Sequence, residues 1–439
     1  MSSINTANQN NQSQLVPMMI IGGLFATFGF ITWVNGPLIP AMQAICQLSD
    51  AAAFLVASAS YISFCVMALP AAYVLQKIGY KKGMSLGLLL MSLGALVFIP
   101  AAMTRIYPIF LAGIFIQGTG MTLLQTAVNP YITILGPMES GAKRIAIMGI
   151  CNKAAGALGS VIFGTLLLAG MKEKNELLNS VTGAEQEALL DSMANGVIAP
   201  YIGMAIVLAI IALLIRRAPL ADLEAQEDDT SEGSVAKTSI FQFPHLWLGV
   251  LTLFTYVGAE VIAGDSIIKY GLALGLENSE FFGSFTLIAM IITYFLGVVL
   301  IPKYIAQETA LIISACLGMV LSGAILITTG FTSVLFVASL GIANALVWPA
   351  VWPLALNGLG RFTKTASALL IMGISGGAII PPLYGALVGA KSTELVAAGV
   401  ADSVAIATAS TDSYWILLPC YAMILYFAVA GHRVGLKKA

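Results

Sequence analysis

Three ionisable side chains stand inside apolar runs that should exclude them: Lys153 within 145–170, and Glu260 and Asp265 within 245–273. A charge in hydrocarbon costs a few kcal/mol or more, so a retained one faces a cavity, a partner or a permeant. A carboxyl so placed can hold and release a proton or help bind a cation. Glu260 lies near the middle of its run, with Tyr256 one turn earlier on the same face. Asp265 follows about 7 Å further along the helix. Lys269 is four residues beyond Asp265, an ordinary spacing for a local ion pair. Asp265 therefore reads equally as the acid of that pair or as a sodium ligand beside carbonyls near Gly264. Lys153 reads as a gating or coupling cation, or as a side chain that snorkels to the inner surface.

Around these charges stand neutral groups suited to hydrogen bonding. Gln117 and Gln125 are eight residues apart, on roughly one helical face, and Asn129 is one turn beyond Gln125. Asn344, Trp348 and Trp352 are spaced by four and form one stripe. Asn35 and Asn152 complete the set. Each amide alone reads as well as a bond between packed helices. The two Trp residues, and Trp33, read equally as bundle packing.

The elements that must position these residues follow from composition. Hydrophobic residues make up 59% of the 439 and charged ones only 9%, where a soluble domain carries near a quarter charged. The surface therefore faces lipid. Apolar runs fall at 16–45, 51–76, 83–104, 107–135, 145–170 and 198–215. After a polar stretch they resume at 245–273, 281–304, 309–329, 332–358, 366–390 and 413–431. Each is long enough to cross a bilayer as a helix. The fold expected is an all-α integral membrane protein of twelve transmembrane helices in two pseudo-symmetric six-helix halves.

Most of the basic residues, including Lys77, Lys81, Lys82, Lys143, Arg144, Arg216, Arg217, Arg361 and Lys364, fall on loops that share one side if both termini lie inside. Arg105, Lys172, Lys174, Lys269 and Lys391 fall on the other. The positive-inside rule then sets both termini in the cytoplasm. The expected organisation is a disordered cytoplasmic tail at 1–15, a first half at 16–215, a solvated acidic linker at 216–244, a second half at 245–431 and a tail at 432–439. An internal echo supports the two halves: Leu135-Gly136 precedes Ile147-Met-Gly-Ile150 as Leu359-Gly360 precedes Ile371-Met-Gly-Ile374, 224 positions on. The same offset carries Gly36 to Glu260.

These features resemble the major facilitator superfamily, and within it the branch of bacterial L-fucose/proton symporters and glucose/galactose transporters. The stretches that carry the resemblance are Ala127-Val-Asn-Pro-Tyr-Ile-Thr-Ile-Leu-Gly136, Tyr256-Val-Gly-Ala-Glu260 and Ile374-Ser-Gly-Gly377, within about Leu24 to Gly385. Gly79-Tyr-Lys-Lys82 resembles the tail of the superfamily's cytoplasmic loop motif. Two departures stand out: where the fucose symporter has an Asp in its first span and a Glu in its fourth, this chain has Gly36 and Gln125. Neither carries a proton.

The resemblance implies a cation-coupled sugar symporter of the glucose/galactose type working by alternating access, without an enzymatic activity. Sugar hydroxyls would be read by Asn35, Gln117, Gln125, Asn129, Asn152, Glu260 and Asn344, and the sugar's C–H face by Trp348 and Trp352. Coupling falls to Glu260, Asp265 and Lys153, with sodium favoured over the proton because both fucose-type acids are absent. Asp265 is the expected sodium ligand. The alternatives are a proton-coupled carrier of another sugar such as N-acetylglucosamine or fucose, a multidrug/proton antiporter, and a non-transporting sugar sensor.

No cofactor beyond the coupling ion is expected, and the partners expected are a small-molecule sugar and membrane lipid. The net charge of −1 argues against nucleic acid. No nucleotide, zinc or nucleophile motif appears, and the five cysteines read as small apolar residues. The chain is expected to work as a monomer in the bacterial cytoplasmic membrane.

Overall fold

The computed structural model describes the backbone of residues 2–48, 55–168, 180–220, 238–277 and 282–436, with isolated positions at 174, 177, 178 and 279. Side chains are described throughout these except at 2–14, 35–37, 39, 40, 55, 57, 160 and 168. The described residues are helical nearly throughout and contain no strand. Eleven helical stretches are long and apolar enough to cross a membrane. One of them, Ser58–Thr104, has 47 residues, about 70 Å of helix and more than twice a bilayer core. It breaks at Gly79, where φ is 78° and ψ 170°. That left-handed φ strains any side chain, so Gly79 is what folds two spans into one continuous run. The spans are thus twelve.

In chain order they are α1 (Ser2–Ile45), α2 (55–78), α3 (80–104), α4 (Tyr107–Ile134), α5 (Gly141–Leu168) and α6 (Ala184–Arg217). The later ones are α7 (Pro244–Ala273), α8 (Phe282–Leu300), α9 (Gln307–Ile327), α10 (Gly330–Leu356), α11 (Gly360–Ala397) and α12 (Asp402–Val429). Several outrun the apolar runs that announce them. α1 begins at Ser2, ahead of the apolar run that opens at 16; no Gly or Pro breaks the chain before Pro17. α6 begins at Ala184, where Arg105 binds both Glu187 and Asp191. α12 begins at Asp402 and is tied to α11 by the Lys391–Asp412 ion pair at 2.5 Å. Hydropathy reports only the part of a helix in lipid, and these ends lie beyond it. Residues 221–237 of the acidic linker lie outside the described residues. The tail expected from 432 begins packed instead: His432 is buried, and its Nδ1 meets the Phe427 carbonyl at 2.9 Å.

Contacts divide the chain into two units. The first comprises 1–131 and 151–224. In it α3 packs on α6 through Ser85, whose Oγ donates to Ala212 O at 2.8 Å, and Ser92, whose Oγ donates to Ala205 O at 2.8 Å. Without a hydrophobic drive between helices in lipid, small residues and such side-chain bonds hold a bundle together.

The second unit comprises 132–150 and 225–439, so the C-terminal end of α4 and the N-terminal end of α5 pack with the later spans. Ala142 and Ala146 share a core there with Met290, Tyr294, Ala345 and Leu346. Arg144 closes the end of α4: its guanidinium donates to the carbonyls of Ile132, Thr133, Gly136 and Pro137 and to Ser140 Oγ. Helix C-termini leave carbonyls unpaired, and a buried cation satisfies them.

Candidate substrate and coupling site

In the first unit, α1 and α5 meet closely. A Cβ on Gly29 would lie 2.3 Å from Asn152 O, and one on Gly156 would lie 2.3 Å from Trp33 Cδ1. This seam brings the Lys153 ammonium 5.3 Å from the Trp33 ring centroid, a cation–π distance. Lys153 is buried, so it does not end at an aqueous surface. Asn152 Nδ2 donates to Phe25 O at 3.2 Å. On α4, Asn129 is fully buried and its Nδ2 donates to Gln125 O at 2.9 Å. Gln117 turns to α6, donating to Met204 Sδ at 3.3 Å, and Gln125 is buried. Asn35 lies outside the described residues.

The second unit gathers a carboxylate, three tyrosines and two indoles. α7 is held against α11 by backbone contact: a Cβ on Gly376 would lie 1.8 Å from Phe254 O. Only glycine fits there, which explains the first glycine of the Gly-Gly in the Ile374-Ser-Gly-Gly377 segment. So fixed, α7 carries Tyr256 and Glu260. Tyr256 is fully buried, and the half-buried Glu260 carboxylate lies within its electrostatic reach. Tyr294 of α8 and Tyr421 of α12 lie within electrostatic reach of the same carboxylate. The Tyr256 ring is 6.4 Å from Trp348, and Trp348 is 5.6 Å from Trp352. The expected stripe on α10 is thus continuous with Glu260, although α10 is interrupted at Leu346.

Two polar atoms in this cluster have no partner. Asn344 and Trp352 are fully buried, yet Asn344 Nδ2 and Trp352 Nε1 make no hydrogen bond. A buried donor left unmade costs about 1–3 kcal/mol, and groups of this kind often mark where something else binds.

Asp265 lies elsewhere. Beyond Val261 the helix opens into a π turn, Ile262–Ser266, on which Asp265 is exposed. Thr286 Oγ1 donates to Ala263 O at 3.3 Å and Ser266 Oγ meets Tyr414 OH at 2.7 Å, bracing the turn. Among the described residues no three His, Cys, Asp or Glu side chains group as metal ligands would.

Residue patterns alone did not single out Tyr294, Tyr421 or the Trp33 platform. A tyrosine in an apolar span looks like packing, and its polar partner lies on a helix distant in sequence. The one available signal was that a buried Tyr hydroxyl needs a partner.

Comparison with known proteins accords with this geometry. The model of the Major Facilitator Superfamily matches residues 20–382. A glucose/galactose transporter of Brucella abortus biovar 1 (strain 9-941) is 30% identical over 441 residues, covering 98% of this chain and 96% of that one. The L-fucose-proton symporter of Escherichia coli (strain K12) is 28% identical over 386 residues, covering 85% and 87%. The crystal structure of the superfamily transporter FucP in its outward conformation aligns with a TM-score of 0.80 at 26% identity, covering 97% of this chain and all of that one. Twelve spans, the shared fold and the match along most of its length agree: the chain belongs to the major facilitator superfamily of multi-pass membrane transporters.

Proposed function

We propose that this chain is a cation-coupled sugar symporter, a hexose carrier of the glucose/galactose type working by alternating access in the bacterial cytoplasmic membrane with both termini inside. The observation that carries the reading is the Glu260 carboxylate inside a membrane span, within electrostatic reach of Tyr256, whose ring meets the Trp348–Trp352 stripe. A carboxylate and amide read sugar hydroxyls, and an indole face packs on the C–H face of the ring. Relatives named as glucose/galactose transporters and as an L-fucose-proton symporter support the same substrate class.

The coupling ion we assign is the proton, and Glu260 is the group that carries it. This departs from the sodium expected from the residues, for two reasons. Asp265, the expected sodium ligand, is exposed on its π turn. One relative, moreover, is named for proton symport. A charged carboxylate is expensive in a closing membrane site and a protonated one is not. Proton and sugar binding together therefore favour the change of state that neither favours alone. Lys153, held on Trp33, supplies a fixed positive charge in the first unit.

The test is uptake of radiolabelled D-glucose and D-galactose into proteoliposomes, with proton and sodium gradients imposed separately. Accumulation driven by an inward proton gradient alone is expected. Accumulation driven by sodium alone would return the coupling role to another group, and no uptake of either hexose would refute the substrate class.

A further inference from the structure

Asn344 is one of the groups assigned above to sugar recognition, and what holds it in place is a tyrosine from another helix. Tyr421 of α12 is fully buried, and its hydroxyl donates to Asn344 Oδ1 at 2.8 Å. The ring lies flat against α9, where a Cβ on Gly318 would sit 2.2 Å from Tyr421 Cε1. With no room beside it, the ring keeps one position, and so does its hydroxyl.

An asparagine amide has two faces of opposite polarity, an oxygen that accepts and a nitrogen that donates. A hydroxyl donating to Oδ1 selects one of the two orientations and turns Nδ2 the other way. Nδ2 is the buried donor that finds no partner. One turn along α10 is Trp348, packed against Tyr256, which lies within electrostatic reach of Glu260. Tyr421 is itself within electrostatic reach of that carboxylate. A locked acceptor and an unmet donor on one amide, inside the aromatic–carboxylate cluster, describe a group preset to donate to an incoming oxygen.

We infer that Tyr421 is a positioning residue for substrate specificity: it fixes the Asn344 amide so that Nδ2 donates to one hydroxyl oxygen of a bound hexose. The inference rests on the sugar-carrier reading above. It assigns Tyr421 no direct contact with the sugar. Its hydroxyl matters only through Asn344, so the consequence of losing it is a change in which hydroxyl the protein discriminates.

The experiment compares wild-type protein with Tyr421→Phe and Asn344→Asp in proteoliposomes. KM and Vmax are measured for D-glucose and D-galactose, then competition by the 2-, 3-, 4- and 6-deoxy and deoxyfluoro derivatives of each. Fluorine keeps a weak acceptor where deoxygenation removes it. Wild-type protein should therefore prefer the deoxyfluoro over the deoxy sugar at one ring position. Tyr421→Phe should raise KM about tenfold, the worth of one well-made hydrogen bond, keep Vmax within about twofold, and abolish the preference at that position alone. Asn344→Asp, which replaces the donor by an acceptor of the same shape, should abolish it too. An unchanged KM in Tyr421→Phe, or a rise with the preference intact, would show that Tyr421 only packs and would overturn the inference. If wild-type protein takes up and binds no hexose or derivative, the substrate class itself fails, and the inference with it. That result differs from the others in appearing before any substitution is made.

Discussion

The two units solve the same problem, placing polar side chains in a membrane, in opposite ways. In the first, three amides bond to the protein: Asn129 to the Gln125 carbonyl, Asn152 to Phe25 and Gln117 to Met204. In the second, donors at Asn344 and Trp352 are left unmet beside a carboxylate. The helices differ in the same sense. α3 to α6 each run without interruption once α3 has left the break at Gly79. By contrast α7 opens into a π turn, α10 breaks at Leu346, and α11 and α12 each pass through a 3₁₀ turn. Broken helices in membranes are tolerated where neighbours or a ligand re-satisfy the backbone. The irregular helices and the unmet donors of this cluster occur together in the second unit. The first supplies a packed frame and one cation held on an indole.

That contrast can be broken from either side. The largest effect is expected at Glu260: Glu260→Gln should lose accumulation, a coupling worth about 5–150-fold, while labelled hexose still exchanges across the membrane. Full accumulation by that variant would sink the proton assignment. Trp348→Ala should raise KM about tenfold through loss of an aromatic platform, with expression near normal. An unchanged KM would make the α10 stripe mere packing.

Gly376→Ala tests the scaffold beneath the site. Forcing α7 off α11 should cost about 1–3 kcal/mol, read as a lower melting temperature in detergent, with KM rising as Tyr256 and Glu260 shift. The smallest effects should come from the first unit. Asn152→Ala should cost about 1 kcal/mol of stability by freeing the Phe25 carbonyl and leave KM within about twofold. A tenfold loss of affinity there would erase the asymmetry and return Asn152 to the sugar.

Much of this was legible in the residues. Run length and the positive-inside pattern describe how a helix meets lipid, a local matter, so twelve spans could be read without any contact known. A carboxylate in an apolar run announces itself for the same reason, and Glu260 was found that way. The α10 stripe of Asn344, Trp348 and Trp352 followed from helical spacing, and ring contact does join the two indoles despite the break at Leu346. What stayed hidden depends on pairs distant in sequence. Tyr421 acquires its meaning from a residue 77 positions away, and Trp33 from Lys153 on another helix. The N-terminal extensions of α6 and α12 carry ion pairs that hydropathy does not see. The π turn that sets Asp265 aside left no trace in composition.

The most direct test of the central claim is proton movement itself. D-galactose is added to the outside of lightly buffered, voltage-clamped proteoliposomes without any imposed ion gradient, and external pH is followed alongside labelled sugar entry. Wild-type protein should make the outside alkaline as galactose enters, and Glu260→Gln should move galactose with no pH change. Galactose entry without alkalinisation by wild-type protein, or alkalinisation that survives in Glu260→Gln, would contradict that claim.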